Sequence, residues 1–137
     1  MYFQDLSPYQ YGRVTPTPNV LSVGWLSGDH PYSSGAVSDA FVEALRHLVA
    51  QPVNLYRGRH MCEFCPEPPI ITNANGLRML SPPEGTTGNG EIRVSDNDGT
   101  TYVAPVLVLH YVVAHGYLPP PQFVAVCEAR YYDPRNV

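Results

Sequence analysis

Two cysteines stand three positions apart in RGRHMCEFCPEPP, residues 57–69, with a histidine just before them and prolines behind. Thiolates at this spacing come from one tight turn whose backbone amides steady their charge, and they supply two of the four nitrogen or sulfur ligands that zinc prefers in a tetrahedron. Cys62 and Cys65 are therefore the first candidate ligands. A redox pair of the same spacing normally sits where a strand enters a helix, and the PEPP that follows here cannot start a helix quickly. Three cysteines cannot all pair, and in a reducing compartment thiols stay free, act chemically or bind metal.

The other two ligands must come from elsewhere in the chain, and the candidates are His60, His110, His115 and Cys127. His110 and His115 are preferred, because their interval lies within the His-x(3–5)-His range of structural zinc sites. On an ideal helix five residues advance about 500°, so the two rings would diverge by about 140°. They converge only if the last turn loosens before Gly116. His60 and Cys127 are in reserve: His60 shares a face with Cys62 on an extended segment, whereas a lone cysteine on a helix is more often a small core residue. With only three protein ligands, a bound water would be activated, and Glu63 or Glu91 would be the nearby bases. Neither HExxH nor the HxE and PCxxC deaminase signature is present. A closed, structural zinc site is therefore favoured over a hydrolase.

These residues must be positioned by a small fold. A length of 137 residues with 44% hydrophobic content matches one domain, taken here as 1–137. Fifteen prolines and eleven glycines against 15% charged residues imply many turns and extended segments. Residues 1–36 read as an extended arm around the core, with NVLSVGWL (19–26) its strand-like run and Tyr2, Tyr9, Tyr11 and Trp25 its packing aromatics. Ser38 can cap a helix whose Phe41, Val42, Leu45, Leu48 and Val49 form one apolar face, ended by Pro52, with Glu43 and His47 a surface pair.

Residues 66–90 read as a long connection with turn chemistry and little periodicity. Its glycines do not make a phosphate loop, because no GK[ST] follows and the next segment looks like a strand. EIRVS and TTYVA flank DNDG, where Asp98-Gly99 signals a hairpin closed by a primed turn. Asp96 and Asp98 mimic the start of a calcium loop, but Thr101 stands where glycine is needed. APVLVLHYVVAHG, residues 104–116, reads as a buried helix stopped by Gly116. PPPQFVAVCEARYY reads as a last helix opened by Pro120 and Pro121, with Phe123, Cys127 and Tyr131 along one side. The sum is a small α+β domain of zinc knuckle, β-hairpin and two to three helices.

The order knuckle, long loop, hairpin, helix over residues 57–116 resembles a treble-clef zinc finger, in which a Cys-x-x-Cys knuckle is followed by a β-hairpin and a helix carrying the second ligand pair. Treble-clef ligands usually sit in the helix's first turn, while His110 and His115 fall in the middle and at the end of the expected helix. The segments DLSPYQYG, NVLSVGWL, RGRHMCEFC, GNGEIRV and YVAPVLVLHYVVAHGYLPPPQF resemble those of a family of short, uncharacterised bacterial proteins. That resemblance implies that the knuckle, the Gly-Asn-Gly-Glu strand and the histidine pair belong to one unit.

A formal charge of -4 gives no basic field for collecting phosphates, so nucleic acid is disfavoured as a partner. Arg57, Arg59 and Arg93 are the one patch that could converge into an anion site, around Glu91. The N-terminus lacks a signal-peptide pattern and no apolar stretch reaches bilayer length, so a soluble, cytoplasmic protein is expected. An acidic chain with ten tyrosines suits a protein partner. The expected role is a binding or adaptor module, with an immunity- or antitoxin-like inhibitor of a basic protein as the alternative.

Overall fold

A computed structural model of the chain describes residues 2–9, 19–54, 60–66, 70–80 and 87–131. In chain order the elements are β1 (Val20–Ser22), α1 (Asp39–Val49), β2 (His60–Met61), β3 (Ile70–Thr72), β4 (Arg78–Leu80), β5 (Thr87–Gly88), β6 (Glu91–Ser95), β7 (Thr101–Pro105), α2 (Val108–His115) and α3 (Pro121–Tyr131). The architecture is α+β. Its main sheet has the order β1-β7-β6, with β1 parallel and β6 antiparallel to β7.

Period-two alternation along the hairpin strands sorts the core into two sides. Ile92, Val94, Tyr102 and Ala104 pack with Phe41 and Leu45 of α1, Val108 and Tyr111 of α2, and Phe123 and Cys127 of α3. Val103 instead joins Tyr9 and Trp25, so the opposite face is covered by the N-terminal arm. That arm is held by backbone bonds: Leu6 N–H donates to Ser22 O (2.7 Å), Ser22 N–H to Ser7 O (2.8 Å) and Tyr9 N–H to Val20 O (2.9 Å). The Trp25 indole N–H donates to Val103 O at 2.9 Å, which satisfies the polar edge of a buried ring. Tyr2 stacks on His30 with centroids 3.8 Å apart. Tyr11 lies outside the described residues.

α1 forms as its sequence dictates. The Ser38 hydroxyl accepts from the Phe41 N–H at 3.1 Å, a cap of the kind that contributes about 1 kcal/mol. Phe41, Ala44 and Leu45 are buried. Glu43 pairs with Arg46 (3.4 Å) rather than with His47, whose ring lies 4.9 Å from that of Tyr131.

Three expectations need correction. The 104–116 segment is split, because Ala104 pairs with Ile92 in the ladder and Pro105 ends the strand, so helix starts only at Val108. Proline pushes its preceding residue out of the α region, which keeps Ala104 extended. The hairpin is not closed by a two-residue primed turn. Asp96 N–H donates to Thr100 O (2.9 Å), the Asp96 carboxylate accepts from the N–H groups of Asp98 (2.9 Å) and Thr100 (3.0 Å), and among the loop residues Gly99 alone takes positive φ, +87°. A three-residue connection of this kind needs a left-handed residue only at its last position. The 66–90 connection, finally, carries structure of its own: β3 and β4 pair antiparallel, and β5 pairs with β2.

Candidate metal centre

The knuckle is brought to the helix by a short ladder. β2 pairs with β5 in the register His60 with Gly88 and Met61 with Thr87. Gly88 lies so close to the turn leading into α2 that an added Cβ would meet Leu107 N at 3.3 Å and Val106 Cβ at 3.4 Å. A Cβ there would require the Val106–Leu107 turn to give by a few tenths of an ångström. Cys62 follows β2 directly and is buried, and Cys65 is half-buried three residues on.

On the other side, His110 lies in the first turn of α2 and His115 is its last residue. Their five-residue interval closes because the end of the helix widens. The Tyr111 carbonyl accepts the amides of Gly116 and Tyr117, five and six residues on, and Gly116 takes the left-handed conformation at φ 66°, ψ 22°. The Tyr32 hydroxyl donates to the His115 carbonyl at 2.9 Å and fixes that end. Phe64, between the two cysteines, packs against His115 (5.5 Å), Tyr32 (5.1 Å) and Tyr111 (5.9 Å).

The four ligand atoms, the sulfurs of Cys62 and Cys65 and Nε2 of both histidines, lie within 4.8 Å of one another. His115 Nε2 is 3.4 Å from each sulfur, His110 Nε2 is 3.1 Å from Cys65 Sγ, and the two Nε2 atoms are 3.2 Å apart. Hydrogen bonding cannot account for this set. An imidazole Nε2 offers either one proton or one lone pair, yet His115 Nε2 has three close neighbours, more than ordinary two-centre hydrogen bonds can serve. A tetrahedron with Zn–S of about 2.3 Å and Zn–N of about 2.0 Å has S···N edges near 3.5 Å and an N···N edge near 3.3 Å. The observed spacings fall within a few tenths of those edges, so Cys62, Cys65, His110 and His115 are positioned to hold a metal ion.

Burial acts on both kinds of ligand. Burial pushes the Cys62 thiol above its ordinary value, against the opposing hydrogen bond from the Phe64 backbone. Burial, then the neighbouring His115, holds His110 below the usual imidazole range. A neutral imidazole is the form that ligates, and a divalent cation would supply the charge that a buried thiolate lacks.

The remaining sequence candidates separate from this centre. Cys127 is fully buried on α3 in the helix core, and burial drives its thiol well up, so it is a core residue rather than a reserve ligand. His60 has its backbone in β2, while its side chain lies outside the described residues, as do Arg57 and Arg59 altogether. Glu63 is exposed at the knuckle and accepts the Gly28 N–H at 3.3 Å. Glu91 is buried in another cluster. It accepts hydrogen bonds from the Tyr9 hydroxyl, Asn54 Nδ2 (2.6 Å) and Arg93 Nε (2.7 Å) and is bound as a structural clamp rather than offered as a base. Phe64 and Tyr32 support the centre without having been singled out. The position of Phe64 between the two cysteines was the available signal, whereas Tyr32 is remote in sequence from His115 and carried none.

The chain belongs to the family described as a domain of unknown function, DUF7919, which matches residues 1–128. No curated protein and no solved structure matches it. Among the described residues, no helix is long and apolar enough to cross a membrane.

Proposed function

We propose that this member of DUF7919 holds a structural zinc ion and serves as a protein-binding or adaptor module. The observation that carries the reading is the complete set of four ligand atoms converging from the knuckle and α2. Two thiolates and two imidazoles suit zinc, and four protein ligands leave no position for a reactive water. The ion would tie the Cys62–Cys65 turn to the far end of the helix. Structural zinc contributes on the order of 10–16 kcal/mol in small zinc-binding units, comparable with the whole stability of an ordinary domain. The treble-clef likeness is supported by the late start of α2, which puts His110 in its first turn. Cysteines that form no disulfide with one another suit a reducing, cytoplasmic setting.

The binding role is supported by the β3–β4 hairpin. Ile70, Ile71 and Leu77 on it are 57%, 46% and 63% exposed. A two-stranded hairpin is marginal in isolation, and the adjacent Ile70 and Ile71 of β3 leave an exposed apolar side chain on each of its faces, which suits a contact with a partner. Purified protein is expected to carry one zinc per chain. Cys62→Ser and His110→Ala are each expected to lose the ion and, as chelation does in the wild type, to lower the melting temperature by more than 10 °C. A stably folded, metal-free wild type ends the proposal. For the binding role, paired Ile71→Asp and Leu77→Asp should abolish co-purification of a protein partner at unchanged zinc content, and a partner retained by that variant would refute the hairpin as the contact.

A further inference from the structure

The two cysteines of the metal centre differ in their access to solvent. Cys62 is buried and Cys65 is half-buried, while Cys127, fully buried on α3, takes no part in the centre. A thiol that ligates a metal is already deprotonated, and the thiolate is the form that an oxidant attacks where solvent reaches it. Cys65 meets both conditions. A second sulfur stands beside it: all four ligand atoms lie within 4.8 Å of one another, and both sulfurs come from a single turn. A disulfide requires them to close to about 2.05 Å, a movement contained within that turn.

The other ties between the turn and α2 are short. β2 and β5 are two residues each, well below the length at which a strand pair is stable alone. The Phe64 ring packs against His115 and Tyr111 at 5.5 and 5.9 Å. His115 Nε2 faces both sulfurs at 3.4 Å. With the sulfurs bonded to each other, only the two imidazoles of α2 are left in the centre, half of a tetrahedral ligand set.

We propose that this centre, on the reading that it holds zinc, is a peroxide-sensitive switch: hydrogen peroxide oxidises Cys65, Cys62 closes a disulfide onto it, and the loss of both sulfurs releases the ion and frees the knuckle from α2. The Cys65 thiolate attacks one peroxide oxygen, the O–O bond breaks, hydroxide leaves and a sulfenic acid remains. The Cys62 thiolate then attacks that sulfur, the S–O bond breaks and a second hydroxide leaves. Two protons from solvent turn both hydroxides into water. The two cysteines lose two electrons, the peroxide gains them, and the zinc stays divalent.

The full chain, purified under a thiol reductant and then freed of it, tests the switch with a chromogenic zinc indicator and mass-spectrometric peptide mapping. Protein that carries no zinc before oxidant is added would end the zinc reading and the switch with it. From a loaded chain, a modest excess of hydrogen peroxide should release zinc in step with a Cys62–Cys65 disulfide and leave Cys127 reduced. Reductant with added zinc should restore the starting state, and Cys127→Ala should release zinc at the wild-type rate. Hydrogen exchange should rise in residues 60–66 and stay unchanged in α1. Zinc retained under peroxide, zinc lost without that disulfide, or unchanged exchange in 60–66 overturns the switch while leaving the zinc site standing.

Discussion

The Nε2 atoms of His110 and His115 lie 3.2 Å apart although an ideal helix would turn their rings about 140° away from one another. The backbone makes up the difference at one place. Gly116 turns left-handed, the Tyr111 carbonyl takes the amides of Gly116 and Tyr117, and His115 swings back over its own helix to meet Cys62 and Cys65.

Two glycine substitutions separate this hinge from ordinary packing. At Gly116 an added Cβ meets nothing, so Gly116→Ala bears only the left-handed strain, about 1 kcal/mol, and should weaken zinc binding severalfold while keeping the fold. At Gly24, φ is +74° and the Cβ would lie 2.9 Å from Val108 Cγ2 at the start of α2. Gly24→Ala should therefore cost about 2–4 kcal/mol. Urea unfolding of both variants checks the order, and equal costs would discount the close approach of Gly24 to α2.

Glu91 offers a test of clamp against base. Glu91→Gln replaces one acceptor oxygen by an amide that faces existing donors, and should destabilise the protein by about 2–4 kcal/mol. Zinc content should be unchanged. Loss of the metal at unchanged stability would instead tie Glu91 to the centre.

The knuckle and the histidine pair were legible because ligand spacing is a local constraint, and Gly116 marked the place where the helix had to open. The α1 cap and apolar face were legible for the same reason: each is decided within one turn. The boundary at Pro105 was missed because the valine-rich run VLVLHYVV suits strand and helix alike, although proline's effect on Ala104 could have settled it. Non-local pairings left no trace. β1 finds β7 from some eighty residues away, β2 and β5 are two residues each, and Glu91 draws its partners from Tyr9 and Asn54.

Alkaline stability should report the burial of Tyr117. Its hydroxyl donates to Asp5 Oδ2 at 2.7 Å, and burial, then the Asp5 carboxylate, raises it well above the ordinary phenol value. The folded state therefore holds this proton more tightly than the unfolded chain, whose tyrosines titrate near pH 10. The contribution is complete below about pH 10 and is lost above it at up to about 1.4 kcal/mol per pH unit. Unfolding free energies measured at pH 9 and pH 11 should differ accordingly, and Tyr117→Phe should show a shallower loss. An unchanged slope in that variant would assign the effect elsewhere, with Tyr111, also raised by burial, the next group to examine.

X-ray absorption at the zinc edge of the purified chain reads the ligand shell itself. Two sulfurs at about 2.3 Å and two nitrogens at about 2.0 Å are expected, with no oxygen ligand. An oxygen in place of an imidazole, or a folded metal-free protein with Cys62 bonded to Cys65, would contradict a closed centre made by Cys62, Cys65, His110 and His115.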